Sequence, residues 1–561
     1  MIACPRRFLG VALFAALLGG GIAVAEERPA ALTIPGLGEF RRDMTAASPE
    51  TQRLLNQGLV LFYAFNHDEA IRSFQAAAAL DPDCAMAWWG QAVALGPHIN
   101  NPAMPPERSQ AAWDAANEAR RRAAGCTPAE QALVAAVLAR YAATPPDDRR
   151  PLDEAYAEAM ERAWSQHPED ADIGALYAEA LMNLRPWDLW SAEGEPRPET
   201  PRVIAVLERV LELSPRHPLA LHLYIHAVEA SLEPGRALDA ADRLRDACPG
   251  LGHLVHMPSH IDVRTGRWLE ATIANERAIQ ADSVYQSLRP EQGFYRLYMT
   301  HNHHMLAFAA LMRGESERSL AAVRTMLADI PAEWLEDPAN RGIADGFFAA
   351  PIEVLVRFGR WDEVLSEPAP PEDMPLAWAL YHEARGVAYA AKKQLDDARR
   401  EQRLFIQAVQ ATPEDALFGN NASADILAVA EALLDGEILL QTGETEAGLA
   451  RLRDAISLED ALRYDEPPDW LIPVRHALGS WLLANRRAVE AEQVFRDDLA
   501  RWPNNGWGLF GLAQSLEAQE LTDEAAEVRV RFREVWRDAD VTLTAACFCA
   551  APSGAGDEGA R

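Results

Sequence analysis

The chain has 561 residues, with 84 acidic against 53 basic side chains and a formal net charge of −31. Phosphate backbones and anionic membrane surfaces recruit clustered Lys and Arg, so this balance excludes nucleic acid as an expected partner and reads mainly as a solvated outer face. An Ala-, Leu- and Glu-rich pattern with helical periodicity and almost no β-branched alternation predicts an all-α repeat array instead of several globular domains.

In chain order, Arg6 and Arg7 precede an apolar run from Phe8 to about Leu18, then Ala23-Val24-Ala25 before two glutamates. This predicts a cleavable export signal over residues 1–25, cut after Ala25, with a general secretory route favoured over a twin-arginine one. Residues 26–48 read as an extended segment. No later apolar run approaches the ~20 residues of a membrane span, so the expected location is exported, periplasmic and soluble. Signal removal takes Cys4 and leaves Cys84, Cys126, Cys248, Cys547 and Cys549, an odd number in an oxidising compartment. Cys84 and Cys126 fall in inter-helix loops on one edge and form a candidate disulfide. Cys547-Phe548-Cys549 is a metal hook, a redox pair, or incidental in a tail, 538–561, expected to be disordered.

The first helical unit, near 49–82, carries Ala70, Phe74, Ala77 and Pro82, and the next opens at Trp88. Small residues let antiparallel helices approach, the aromatic fills the neighbouring groove, and proline ends the second helix. Units near 471–537 repeat the pattern with Ala491, Phe495 and Pro503, then Ala525. These positions resemble the tetratricopeptide repeat (TPR). Further helical pairs are expected near 106–142, 151–184, 200–245, 253–281, 294–329, 342–366, 376–411 and 422–459, punctuated by proline-rich runs. The resemblance implies a right-handed superhelical solenoid over 49–537 whose first helices line a concave groove, and it implies peptide or protein partners. Trp88, Trp89 and His98 sit beside an insertion at 96–101, a second insertion spans 186–190, and such loops either contribute to recognition or plug gaps between irregular units.

Residues 222–304 hold eight of the fourteen histidines. Superposing the turn glycines Gly235, Gly266 and Gly314 arranges them in rows. Thirteen residues earlier stand His222, His253 and His301; ten earlier Ile225, His256 and His304; nine earlier His226, Met257 and Met305; six earlier Glu229, His260 and Phe308. Steps of three and four keep these on one helical face, and the TPR resemblance turns that face toward the groove. His222, His226, His253, His256, His260, His301 and His304 are therefore the candidate metal ligands, within the His-rich stretch 217–329. Imidazole suits copper, zinc or iron, and the neighbouring Met257 and Met305 tilt the choice toward copper. Glu229 and Asp262 are accessory carboxylates. Pro258 is expected to disturb the register of His256 and His260, and His303 falls off the stripe. His67, His98, His167, His217, His382 and His476 read as structural.

Nucleophile elbows, phosphate-binding glycine loops, His-Glu-x-x-His and Cys-x-x-Cys motifs are absent. The expected function is an exported TPR-like solenoid that binds a transition-metal ion or metal complex in its central groove. A scaffold holding a peptide or partner protein in the same groove is the alternative, and a metal-dependent enzyme the third reading.

Overall fold

A computed structural model describes residues 31–550. The expected export signal with Cys4, and residues 551–561, lie outside that range. Among the described residues, strand is confined to one antiparallel pair, Leu417–Phe418 with Asn421–Ala422, and the remaining regular structure is helical. No helix among them is long and apolar enough to cross a membrane.

The chain divides into two compact units. In the first, built mainly from Arg41–Phe62 and Asn66–Trp187, the expected opening hairpin forms from Pro49–Tyr63 and His67–Leu80. The Asn66 side chain starts its second helix by accepting the Glu69 N–H at 3.4 Å. Phe74 then shows why the hairpins stack. Its ring is fully buried, and a Cβ added at Gly58 or Gly90 would come within 2.9 and 2.3 Å of it. The aromatic thus fills a slot that exists because both neighbouring helices carry glycine there.

The second unit, built mainly from Asp188 onward, repeats the device. Fully buried Phe495 lies between Gly479 and Gly511, where added Cβ atoms would come within 2.4 and 2.2 Å of the ring. In both cases the glycines flank the phenylalanine at equal sequence distance before and after. Helical pairs match those expected near 294–329, 376–411, 422–459 and 471–537. The pair expected near 342–366 is shorter, reduced to Ala350–Arg357 and Trp361–Ser366.

Three local expectations change. Residues 538–550 are packed, not disordered: Asp540 accepts the Ser316 and Glu317 N–H groups at 2.7 and 2.9 Å, capping a helix that has no side-chain cap at its own Glu315. Ala546 and Cys549 are buried, and Cys547 is disulfide-bonded to Cys549. Cys84 and Cys126 are both free thiols, because Cys84 Sγ turns to donate to the Thr45 carbonyl at 3.4 Å. The extended segment before Pro49 is tied down within the first unit by Arg42, which pairs with Asp170 and Asp172 at 2.7 Å each.

Gly511→Ala is expected to cost about 1–3 kcal/mol, as an overpacked core does, and Phe495→Leu in the same chain to recover part of it; urea denaturation of the three variants checks this. Burial raises the Glu459 carboxyl to about 7 despite Arg501, Arg475 and the Val474 N–H, which pull it down. A folded-state value above the unfolded one means stability that is complete below the unfolded value and is lost as pH rises through 7. Glu459→Gln, which still accepts from Val474, is therefore expected to flatten the fall in unfolding midpoint between about pH 4.5 and 7.5.

Candidate metal centre

His217 opens the first site helix, Pro218–Val228: its Nδ1 accepts the Ala220 N–H at 3.3 Å, and Pro218 takes a first-turn position that lacks no needed donor. One turn apart on that helix, His222 and His226 point the same way. His253, His256 and His260 come from Gly252–His256 and Pro258–Thr265. Pro258 does not break the register, since Met257 between the segments keeps right-handed helical angles (φ −48°, ψ −39°) and the His260 N–H bonds to the Met257 carbonyl at 3.2 Å. His301 stands on Arg296–Met312. Gly266 and Gly314 close their turns in the left-handed conformation, φ +78° and +75°, whereas Gly235 lies in a 3₁₀ turn, Pro234–Ala237, and is not left-handed.

The imidazoles meet, but in the interior. His222, His226, His253, His256 and His260 are buried and His301 is half-buried, so the expected open, histidine-lined groove is instead a closed cluster of rings. Potential ligand atoms of His222, His226 and His253 lie within 4.8 Å of one another, and so do those of His256, His260 and His301. Each triad thus combines two rings one turn apart with the leading histidine of the next hairpin.

Hydrogen bonds at Nδ1 fix the tautomer of four of the rings, His222, His226, His256 and His260. His222 Nδ1 lies 2.9 Å from the Tyr63 carbonyl, an obligate acceptor, so Nδ1 carries the proton and Nε2 a lone pair. Asn275 donates its Nδ2 to the Ala271 carbonyl at 2.8 Å, which turns its oxygen toward His256 Nδ1 at 2.7 Å. Glu229 accepts from His226 Nδ1 at 2.7 Å and from His260 Nδ1 at 2.6 Å. The neutral His256 and His260 rings then face each other through bare Nε2 atoms only 2.6 Å apart. His222 and His253 approach through Nε2 at 3.1 Å, and His253 Nδ1 is buried without a partner. At 2.6 Å the two lone pairs of His256 and His260 repel unless a cation or proton lies between them, whereas His253 can carry its proton on Nε2 and donate it to the His222 lone pair.

Burial drives the His222, His253, His256 and His301 rings well below the usual imidazole range, and neighbouring imidazoles push further in the same direction. His260 falls less, because Glu229 opposes the effect of burial. Burial alone would raise the Glu229 carboxyl, but His260 and His226 outweigh it and hold it at about 2. Glu466, whose Oε1 is 3.4 Å from His260 Nδ1, is pushed well above the carboxylate range by burial and by Glu229 and Asp465; its Oε2 has no partner.

Other expected participants fall elsewhere. His304 is buried edge-on against Phe347 at 5.4 Å, outside both triads, and burial alone lowers it to about 4. Met257 and Met305 are fully buried, Met305 in the apolar core around Phe308. Asp262 pairs with Arg245 at 3.0 Å and Arg267 at 3.3 Å, not with the rings. Trp88, Trp89 and His98 belong to the first unit, where His98 stacks on His67 at 4.1 Å and Arg122 covers Trp88 at 5.1 Å. His303 is buried with Nε2 3.7 Å from Asp329, while His382 and His476 pair with Glu401 and Asp498. Sequence spacing missed Glu466, Tyr464 (3.4 Å from Glu229) and Asn275. The first two sit in a proline-rich connector far downstream that carries no signal of its own.

No family model matches the chain, and no curated protein matches it. Among solved structures it is similar to the APC/C Cut9–Hcn1 hetero-tetramer at 15% identity, covering 88% of this chain and 78% of that one, with a TM-score of 0.31. It is also similar to the human IFIT1 dimer with PPP-AAAA (13%, 88% and 96%, TM-score 0.32) and to yeast Tom70 (12%, 87% and 91%, TM-score 0.28). The stacked hairpins and their aromatic slots characterise the fold. The chain is a TPR-like helical repeat protein.

In chelator-treated protein, Glu229→Ala is expected to cost about 2–5 kcal/mol, because it leaves two buried ring N–H groups without an acceptor, and Glu229→Gln to cost less. Chemical denaturation measures both; a loss below about 1 kcal/mol for the alanine variant contradicts the bridging role.

Proposed function

We propose that the protein binds two divalent transition-metal ions, one held by His222, His226 and His253 and the other by His256, His260 and His301. The observation that carries this reading is the approach of bare Nε2 atoms whose Nδ1 partners are already committed. Bonds of about 2.0–2.1 Å around a tetrahedral ion place ligand nitrogens about 3.3 Å apart, close to the 3.1 Å between His222 and His253 Nε2, while His256 and His260 at 2.6 Å must part by about 0.7 Å to admit one. Glu229 acts as the outer carboxylate that orients one ring of each triad, the arrangement by which proteins fix imidazole tautomers at metals. All-imidazole triads with carboxylate support suit zinc, copper or iron and do not suit calcium or magnesium.

Burial also bears on the scaffold alternative. A TPR-like fold is consistent with binding protein partners, but rings enclosed to this degree fit a guest the size of one ion better than a peptide main chain. The reading includes export, which rests on the Arg6 to Ala25 sequence.

Equilibrium dialysis of chelator-stripped protein with Zn²⁺, Cu²⁺ or Fe²⁺, followed by elemental analysis, is expected to give two equivalents of at least one of them. His253→Ala and His301→Ala should each remove one equivalent and the double variant both. Glu229→Gln should weaken both sites by about 10–100-fold. Retention of less than a tenth of an equivalent by wild-type protein defeats the metal reading, and capture of a partner unchanged by both alanine variants would then favour the scaffold.

A further inference from the structure

A second polar enclosure lies in the same unit, built from residues outside the histidine cluster. Glu353, Arg357, Glu383, Glu437 and Trp470 line a small cavity. Its remaining wall is largely apolar, with Val387 and Leu433 among the lining residues.

Three features mark it as built for a guest. Glu383 is 5% exposed, and its Oε1 has no hydrogen-bond partner. Trp470, also 5% exposed, has an indole N–H with no acceptor. Arg357 is 3% exposed; its guanidinium lies over the Trp507 ring at 3.4 Å and donates to the Ala546 carbonyl at 3.3 Å, yet its Nε is unpartnered. One buried acceptor and two buried donors at the lining of one cavity each carry the cost of an unmade hydrogen bond. Glu437 differs in accepting from Trp481 Nε1 at 3.1 Å with both oxygens.

A simple cation would satisfy Glu383 but leave the indole and guanidinium N–H groups stranded, and a simple anion would do the reverse. A metal ion at Glu437, Cys547 and Cys549 has no thiolate to bind, since the two sulfurs are joined. We propose that this cavity binds a small apolar α-amino acid, its ammonium on Glu383 and its carboxylate on Arg357 Nε and Trp470 Nε1, with the side chain against Val387 and Leu433. The electrostatics agree: burial, then Glu353 and Glu437, push the Glu383 carboxyl well above its ordinary range, and a neighbouring ammonium is what restores its charge.

Isothermal titration of the full chain with leucine tests this, alongside leucinamide, which lacks the carboxylate, and 4-methylvalerate, which lacks the ammonium. Saturable 1:1 binding of leucine is expected, at least tenfold tighter than either fragment. Glu383→Gln and Trp470→Phe should each weaken leucine at least fivefold while circular dichroism stays unchanged, and His301→Ala should leave it unaltered. Absence of binding by leucine, alanine and phenylalanine at about 10 mM, tenfold above a dissociation constant of about 1 mM, overturns the proposal. Equal affinity for a fragment, or for both lining variants, overturns it as well. Since His301→Ala disables one proposed metal centre without touching this cavity, failure of either reading is seen separately from failure of the other.

Discussion

The Glu229 carboxylate is the constraint on which the histidine cluster depends. It is 1% exposed, and its charge there is tolerable because His226 and His260, from successive hairpins, both donate to it, joined by the Tyr464 hydroxyl at 3.4 Å. That pairing fixes the tautomer of both rings and turns their Nε2 atoms away from the carboxylate, one into each triad. Arg264 secures the same turn, donating to the Glu229 and Ser231 carbonyls at 3.1 and 3.2 Å while lying over Tyr464 at 5.6 Å. One buried anion therefore sets the spacing of two helices and the chemistry of the nitrogens between them.

A second layer supports the leading edge of the middle hairpin. Tyr295 Oη accepts the His253 N–H at 3.2 Å and donates to Asp282 at 3.3 Å, and Asn302 donates to Asp282 at 2.7 Å. Gly252 stands where a Cβ would come within 2.1 Å of that carboxylate, so the helix can start only because the residue before His253 has no side chain. Burial raises the Asp282 carboxyl to about 7, against the hydrogen bonds from Asn302 and Tyr295 and the charge of Arg296, which pull it down.

What the sequence disclosed was helical phase. The rows built on Gly235, Gly266 and Gly314 identified six of the rings that meet, because steps of three and four residues are properties of the helix itself. Their grouping was not legible in the rows. The rows suggested equivalents side by side, whereas the triads run diagonally, joining His222 and His226 to His253 and His256 and His260 to His301. Gly235 aligned usefully without sharing the conformation of the other two glycines. Glu466 and Tyr464 were invisible for a different reason: a connector more than two hundred residues away supplies them, and no local period reports a contact of that range. Enclosure was missed too, since a pattern of faces gives direction along a helix but not what finally covers it.

The weakening of the repeat signature in the middle of the chain has the same cause as the histidine cluster. At the row six residues before the turn, the third hairpin keeps Phe308, fully buried and packed against Trp268 and Trp502 with ring centres 5.7 and 5.4 Å away. The first two hairpins carry Glu229 and His260 in that row. Positions that elsewhere supply dispersion contacts here supply hydrogen bonds and lone pairs, so apolar packing is surrendered where the polar cluster is assembled. The regular slots around Phe74 and Phe495, one in each unit, have no such demand on them and retain the small–aromatic–small pattern. In these two hairpins the weakened repeat signature therefore marks where apolar packing gives way to a polar cluster.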